Sequence, residues 1–247
     1  ARTPAFSAEV LRARLEAVDV SRVVHLLPSD QPVETPDLML APERLAEQRA
    51  GGTWSELFDR DSLVNRSDLV AAAAWWLLVG LIGWAAFPIT RLLLPGLRDG
   101  GYPLARIVGL LLAAWGAWVL SSLRVPFTRT LVLAVLLAMA LLSVVMAWVG
   151  RGELRPFLRQ RRREIAWVEL LALALFLLDL GIRLGNPDLW HPAKGGEKPM
   201  DLSYLMAVLK STSFPPYDPW LAGGMINYYY YGFVLIAVPV KLLGLIP

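Results

Sequence analysis

Five apolar runs, each about as long as the roughly 20 residues a helix needs to cross the hydrocarbon core, occupy most of the chain after residue 68. Four of them carry no charge over their length. Leu69 to Thr90, Ile107 to Leu123 and Thr130 to Gly150 are bounded by charged residues and read as spans one to three. Ile165 to Leu184 reads as span four although it contains Glu169, Asp179 and Arg183. Pro219 to Val240 is uncharged up to Lys241, whose amine can snorkel to an interface, and supplies span five from about Tyr228. A hydrophobic fraction of 56% and a mean hydropathy of +0.49 agree with these runs and exclude a soluble enzyme.

Charge divides the chain. Residues 1–68 hold 8 basic against 12 acidic side chains, and the remainder is correspondingly basic. In a membrane chain, basic residues report topology and contact with lipid headgroups, so the basic balance gives no reason to invoke nucleic acid, and none is expected as a partner. Six arginines fall in residues 151–164, and Arg91, Arg98 and Arg106 lie in the connection between spans one and two. Placing both connections in the cytoplasm satisfies the positive-inside rule. The expectation is therefore a multi-pass protein of the cell membrane with its N-terminus outside and its C-terminus inside. The absence of cysteine excludes a disulfide framework, a thiolate metal site and a cysteine nucleophile.

Residues 1–68 read as an external polar segment. Ser7 can cap a helix over 7–18, SRVVHLL reads as a short strand, and a second helix is expected over 42–49 before Gly51 and Gly52. His25 sits within the apolar VVHLL and reads as a partly buried strand residue. The opening ARTPAF carries no hydrophobic signal segment, so an outside N-terminus implies a piece of a longer polypeptide. The fold expected is an all-α integral membrane protein. It has about five transmembrane helices, an external interfacial helix and a small α/β-like polar N-terminal segment. Spans one to three occupy residues 69–150, an arginine-rich cytoplasmic loop 151–164, and the last two spans residues 165–247 around an external loop 185–227.

That loop and the tyrosines after it carry most of the polar chemistry. Asp201 can cap a helix Leu202 to Lys210, with Leu202, Leu205, Met206 and Leu209 forming an apolar stripe against the membrane surface. Pro199 argues against one helix running through both Glu197 and Asp201, and favours a turn that brings the two carboxylates together. Carboxylates at a membrane surface can hold a hard divalent cation or act as a general base. By spacing alone the plainer roles weigh more: a helix cap for Asp201, ion pairing of Glu197 with Lys194 or Lys198, and a turn at Asp218. Tyr228, Tyr229, Tyr230 and Tyr231, with Trp190 and Trp220, fit an interfacial aromatic belt. Four consecutive tyrosines cannot all face lipid on a helix, so some must meet protein or line a cavity, where sugar stacking or phosphate binding becomes available. Asp179 and Arg183, four apart in span four, can form an ion pair, and Glu169, one turn from the cytoplasmic end, can snorkel.

The stretches NPDLWHP (186–192), GGEKPMD (195–201), FPPYDPWLAGG (214–224) and INYYYYG (226–232) together resemble an uncharacterised family of bacterial and archaeal membrane proteins known for its tyrosine run. Weaker likeness extends to residues 87–118 and 48–59. Members look like distant relatives of the C-type multi-spanning glycosyltransferases, which use polyprenyl-phosphate sugars as donors and place acidic residues in the first external loop of their core. The resemblance implies that residues 165–247 begin such a core and that the chain is the N-terminal part of a membrane glycosyltransferase acting on an external acceptor. It further implies that Asp201 serves as base and Glu197 as ligand to a divalent cation such as Mg or Mn, the two carboxylates sharing catalytic and metal-binding duty. Lys198, Asp218 and the four tyrosines would bind substrate. The alternatives are a non-enzymatic membrane scaffold subunit that packs against partner helices and, ranked last, a transporter of lipid-linked oligosaccharide. Membrane lipids, a polyprenyl-phosphate sugar, and other subunits or further parts of the same polypeptide are the expected partners.

Overall fold

A computed structural model describes residues 58–185, 198–221 and 224–247. Glu197 and the expected elements of the first 57 residues, including His25, lie outside the described residues. Helix α1 (Leu63–Arg66) leads through Ser67 into α2 (Asp68–Leu93), which ends two residues before Pro95. A 3-10 turn at Tyr102–Leu104, with Pro103 near its start, opens α3 (Ala105–Ser122). The hydroxyl of Thr128 accepts from the Leu131 amide and caps α4 (Arg129–Val149). The helix α5 (Arg151–Gln160) follows after Gly150, and Arg161 separates it from α6 (Arg162–Gly185). Last come α7 (Lys198–Lys210) and α8 (Tyr231–Leu243).

Among the described residues, α2, α3 with its leading 3-10 turn, α4 and α6 are long and apolar enough to cross a bilayer. The bounds of the four α-helices themselves fall within three residues of the runs read from the sequence, and the 3-10 turn lengthens the second at its start. The supposed loop 151–164 is instead helical: Leu154, Phe157 and Leu158 of α5 pack on Phe87, Tyr102 and Ala105, while Arg151, Arg155 and Arg159 remain exposed. Those apolar residues recur at helical spacing, so covering the end of the bundle yields more apolar burial than a solvated loop would.

The fifth run departs further from expectation. Its helix begins at Tyr231 rather than Tyr228, and at about 1.5 Å per residue its 13 residues extend about 20 Å, short of a bilayer core of about 30 Å. Nor does it pass from one end of the bundle to the other. Tyr230, just ahead of α8, meets Trp118 one turn from the end of α3, while past its other end Gly244 and Ile246 meet Asn65. The Asn65 side chain donates to the Gly244 carbonyl at 2.8 Å and accepts from the Ile246 amide at 3.0 Å. Residues 65 and 246 therefore sit at the same end of the bundle, against the expectation that the last span returns the chain to the opposite face. Lys241 does not snorkel either. It is buried, its Nζ donating to the Leu209 carbonyl at 2.9 Å and resting 4.6 Å from the centre of the Phe127 ring.

The main core explains this arrangement. Ala113, Ala114 and Ala117 of α3 present a small-residue surface on which Val234, Ala237 and Val238 of α8 pack, together with Val132 of α4 and Val208 and Leu209 of α7. Small side chains let helices approach closely, which is how contact is gained where lipid tails are as apolar as leucine. The same logic joins α2 to α3: a Cβ at Gly109 would lie 2.8 Å from both the carbonyl oxygen and Cγ2 of Ile82. Gly109→Ala is expected to cost about 2 kcal/mol of stability, an overpacking effect, whereas Gly181→Ala, with nothing within 4 Å, is expected to be neutral. Thermal unfolding of the two variants in detergent checks this, and equal melting would contradict it.

Candidate functional site

Helix α7 starts at Lys198, so Pro199 occupies a first-turn position where a missing N–H costs nothing. Asp201 consequently lies inside the first turn rather than at the cap, with its carboxylate at the positive end of the helix dipole. The buried residues are Tyr204, Ala207, Val208 and Leu209; of the stripe read from the sequence only Leu209 is buried. Protein covers the face that carries Tyr204, Ala207, Val208 and Leu209, while Leu202, Leu205 and Met206 are half-buried. The helix packs on α8, and the chain beyond it is pinned to the bundle by Phe127, whose amide donates to Thr212 at 2.8 Å and whose ring meets Phe214 at 5.0 Å.

Asp201 is half-buried and makes no hydrogen bond or ion pair among the described residues. Tyr204 follows three positions later and therefore shares its face. The Tyr204 ring meets Tyr229 edge-on at 6.5 Å and Phe233 at 5.9 Å, and Tyr228 lies 4.1 Å from Tyr229. A carboxylate without a partner among the described residues thus stands one helical turn from a member of a group of aromatic rings. Lys198 begins the same helix.

Some of the four tyrosines face protein, as expected, but three of them precede the helix and only Tyr231 belongs to it. Tyr228 and Tyr229 are exposed at 59% and 46%. Tyr230 stacks on Phe214 and its hydroxyl accepts from Trp118 Nε1 at 3.0 Å, while Tyr231 meets Trp118 edge-on. The outward pair can meet a ligand; the inward pair fastens the segment to α3.

Asp218 serves a different purpose. Its Oδ1 accepts from the amides of Trp220 at 2.8 Å and Leu221 at 3.3 Å, and its own amide donates to Gly224 at 3.0 Å. These bonds form an Asx turn, the plainer role weighed from sequence. Among the described residues no group of three His, Cys, Asp or Glu side chains is placed to hold a metal ion. A hard divalent cation takes about six oxygen ligands, and Asp201 alone does not supply that set.

A second polar cluster, at the arginine-rich end, was missed. Arg106 of α3 forms an ion pair with Glu169 of α6, and the Tyr102 hydroxyl donates to the other Glu169 oxygen at 2.6 Å. The guanidinium also lies 4.6 Å from the centre of the Trp76 ring. Gly83 makes room for it, since a Cβ there would come within 2.6 Å of Arg106 Cγ. Glu169 is therefore paired inside the bundle rather than snorkelling. The signal was present: opposite charges at the same depth of two spans, each costly unless paired. Asp179 and Arg183, by contrast, are both exposed and do not form the ion pair that their spacing allows.

No curated protein and no solved structure matches the chain. One family model does match, over residues 112–247, which take in α4 to α8, Asp201 and the whole tyrosine run. That is more than half of the sequence, and the chain belongs to the family described as "Uncharacterized membrane protein (DUF2298)".

Proposed function

We propose that this chain forms part of a membrane glycosyltransferase that moves a sugar from a polyprenyl-phosphate carrier to an acceptor hydroxyl at the Asn65 end of the bundle, on the external side of the cell membrane. The observation that carries the reading is Asp201: a carboxylate without a partner among the described residues, one helical turn from Tyr204, whose ring meets that of exposed Tyr229. Carboxylates left unengaged next to a surface of aromatic rings suit sugar recognition, the rings stacking on the pyranose face and the carboxylate taking a hydroxyl proton. In the transfer, the acceptor oxygen bonds to the anomeric carbon and its proton passes to Asp201. The bond from that carbon to the phosphate oxygen breaks, and polyprenyl phosphate leaves with the electron pair. Lys198, in the same helical turn, supplies positive charge for the departing phosphate.

The direct experiment offers a panel of polyprenyl-phosphate hexoses to the protein in lipid nanodiscs. Saturable binding and appearance of free polyprenyl phosphate are expected. Neither binding nor turnover with any donor would end this reading. A scaffold role draws support from a different observation: α6 buries no residue, and its Asp179 is exposed and unpaired among the described residues. Co-purification with a stoichiometric membrane partner, without donor binding, would favour that reading.

A further inference from the structure

At the arginine-rich end, between the ends of α2 and α4 and beneath α5, lies a cavity of about 850 Å³. That volume is within the roughly 300–1,000 Å³ of small-molecule sites. Its walls are of two kinds. Leu142, Val145 and Val149 of α4 form an apolar side that is itself exposed along the bundle, so the cavity opens where acyl chains would lie. Arg91, Arg98 and Arg161 form the other side, with the single carboxylate of Glu153 and the Gln160 amide among them.

Among the described residues their charge is incompletely answered. Arg91 Nη2 is 3.7 Å from Glu153, and its Nη1 is buried without a hydrogen-bond partner among the described residues. Arg161 pairs with Glu164, and both Arg91 and Arg161 stack on Phe157. Arg98 is exposed and makes no ion pair among the described residues. The exposed Arg98 guanidinium and the partly exposed Arg91 side chain can each take a phosphate oxygen in a charge-assisted bond.

We infer that this cavity is a binding site for an anionic glycerophospholipid of the surrounding leaflet. The phosphate lies among Arg91, Arg98 and Arg161, and the acyl chains run along Leu142, Val145 and Val149. The occupant follows from the juxtaposition of three guanidinium groups, that of Arg98 without an ion pair among the described residues, with an apolar wall exposed along the bundle, the combination that a phospholipid matches from headgroup to tail. The site lies at the opposite end of the bundle from Asp201 and does not depend on the transferase reading.

Native mass spectrometry of the delipidated protein, titrated with phosphatidylglycerol or phosphatidylcholine, tests this. Phosphatidylglycerol is expected to bind at least tenfold more tightly. Arg98→Gln, a change at an exposed side chain that leaves folding intact, is expected to weaken it about fivefold, and Arg91→Gln with Arg98→Gln more. Arg155→Gln, on the exposed face of α5 and away from the cavity, should leave binding unchanged. Equal affinity for the two lipids, equal losses from Arg98→Gln and Arg155→Gln, or complete displacement of phosphatidylglycerol by equimolar polyprenyl phosphate would overturn the assignment.

Discussion

Replacing Asp201 with asparagine is expected to lower sugar transfer by about a hundred- to ten-thousandfold, the range that general-base groups contribute. The amide keeps the shape of the carboxylate and its place in the first turn of α7 but cannot accept the acceptor's proton. Because Asp201 has no partner among the described residues, stability should change little. Donor binding should persist, so the loss appears in turnover rather than in the apparent affinity. Asp218→Asn is the contrasting variant. Its oxygen is engaged by the Trp220 and Leu221 amides, and asparagine can form the same turn, so transfer should be nearly unaffected. Equal activity of Asp201→Asn and the parent protein would remove Asp201 from the chemistry while leaving the fold untouched.

Glu169→Ala is expected to have the largest effect on stability, about 3 kcal/mol. The substitution leaves Arg106 without its carboxylate among α2, α3 and α6, and leaves the Tyr102 hydroxyl without its acceptor. The guanidinium is closely confined: Trp76 covers it, and Gly83 leaves no slack beside its stem. Replacing both partners should hurt less than removing one, because the isolated charge rather than the lost attraction causes most of the damage. Arg106→Met with Glu169→Leu is therefore expected to recover much of the stability lost in Glu169→Ala. Denaturation in mixed micelles measures the cycle. A Glu169→Ala protein as stable as the parent would show that the pair contributes nothing.

The spans were legible because each is an uninterrupted apolar run bounded by charge, and a helix is the form in which such a run satisfies its backbone in lipid. Their bounds needed no knowledge of neighbours. The fate of residues 231–243 did depend on neighbours. An apolar helix of that composition fits a bilayer or a protein groove equally well, and the alanine surface at Ala113, Ala114 and Ala117 decides for the groove. Lys241 illustrates the same limit: a lysine near the end of an apolar run can reach water, but here the Leu209 carbonyl and the Phe127 ring receive it. That some of the four tyrosines must face protein followed from their number, although which of them do depended on Trp118 and Phe214. At the candidate site, Asp201 and the tyrosines could be named from sequence, but Tyr204 could not be joined to Tyr229 across an intervening segment. Arg106 and Glu169 were readable as a pair only once spans two and four were known to be adjacent.

The seating of residues 198–246 on the Asn65 end, opposite α5, underlies both the transferase reading and the separation of the two sites. Because the sequence contains no cysteine, single cysteines can be introduced without background. Trp220→Cys, Ile246→Cys and Arg155→Cys, each at an exposed position, should be labelled in sealed, oriented vesicles with a membrane-impermeant maleimide. Positions 220 and 246 are expected to react from one side and position 155 only from the other. Reaction of 220 and 155 from the same side, or of 220 and 246 from opposite sides, would contradict the arrangement.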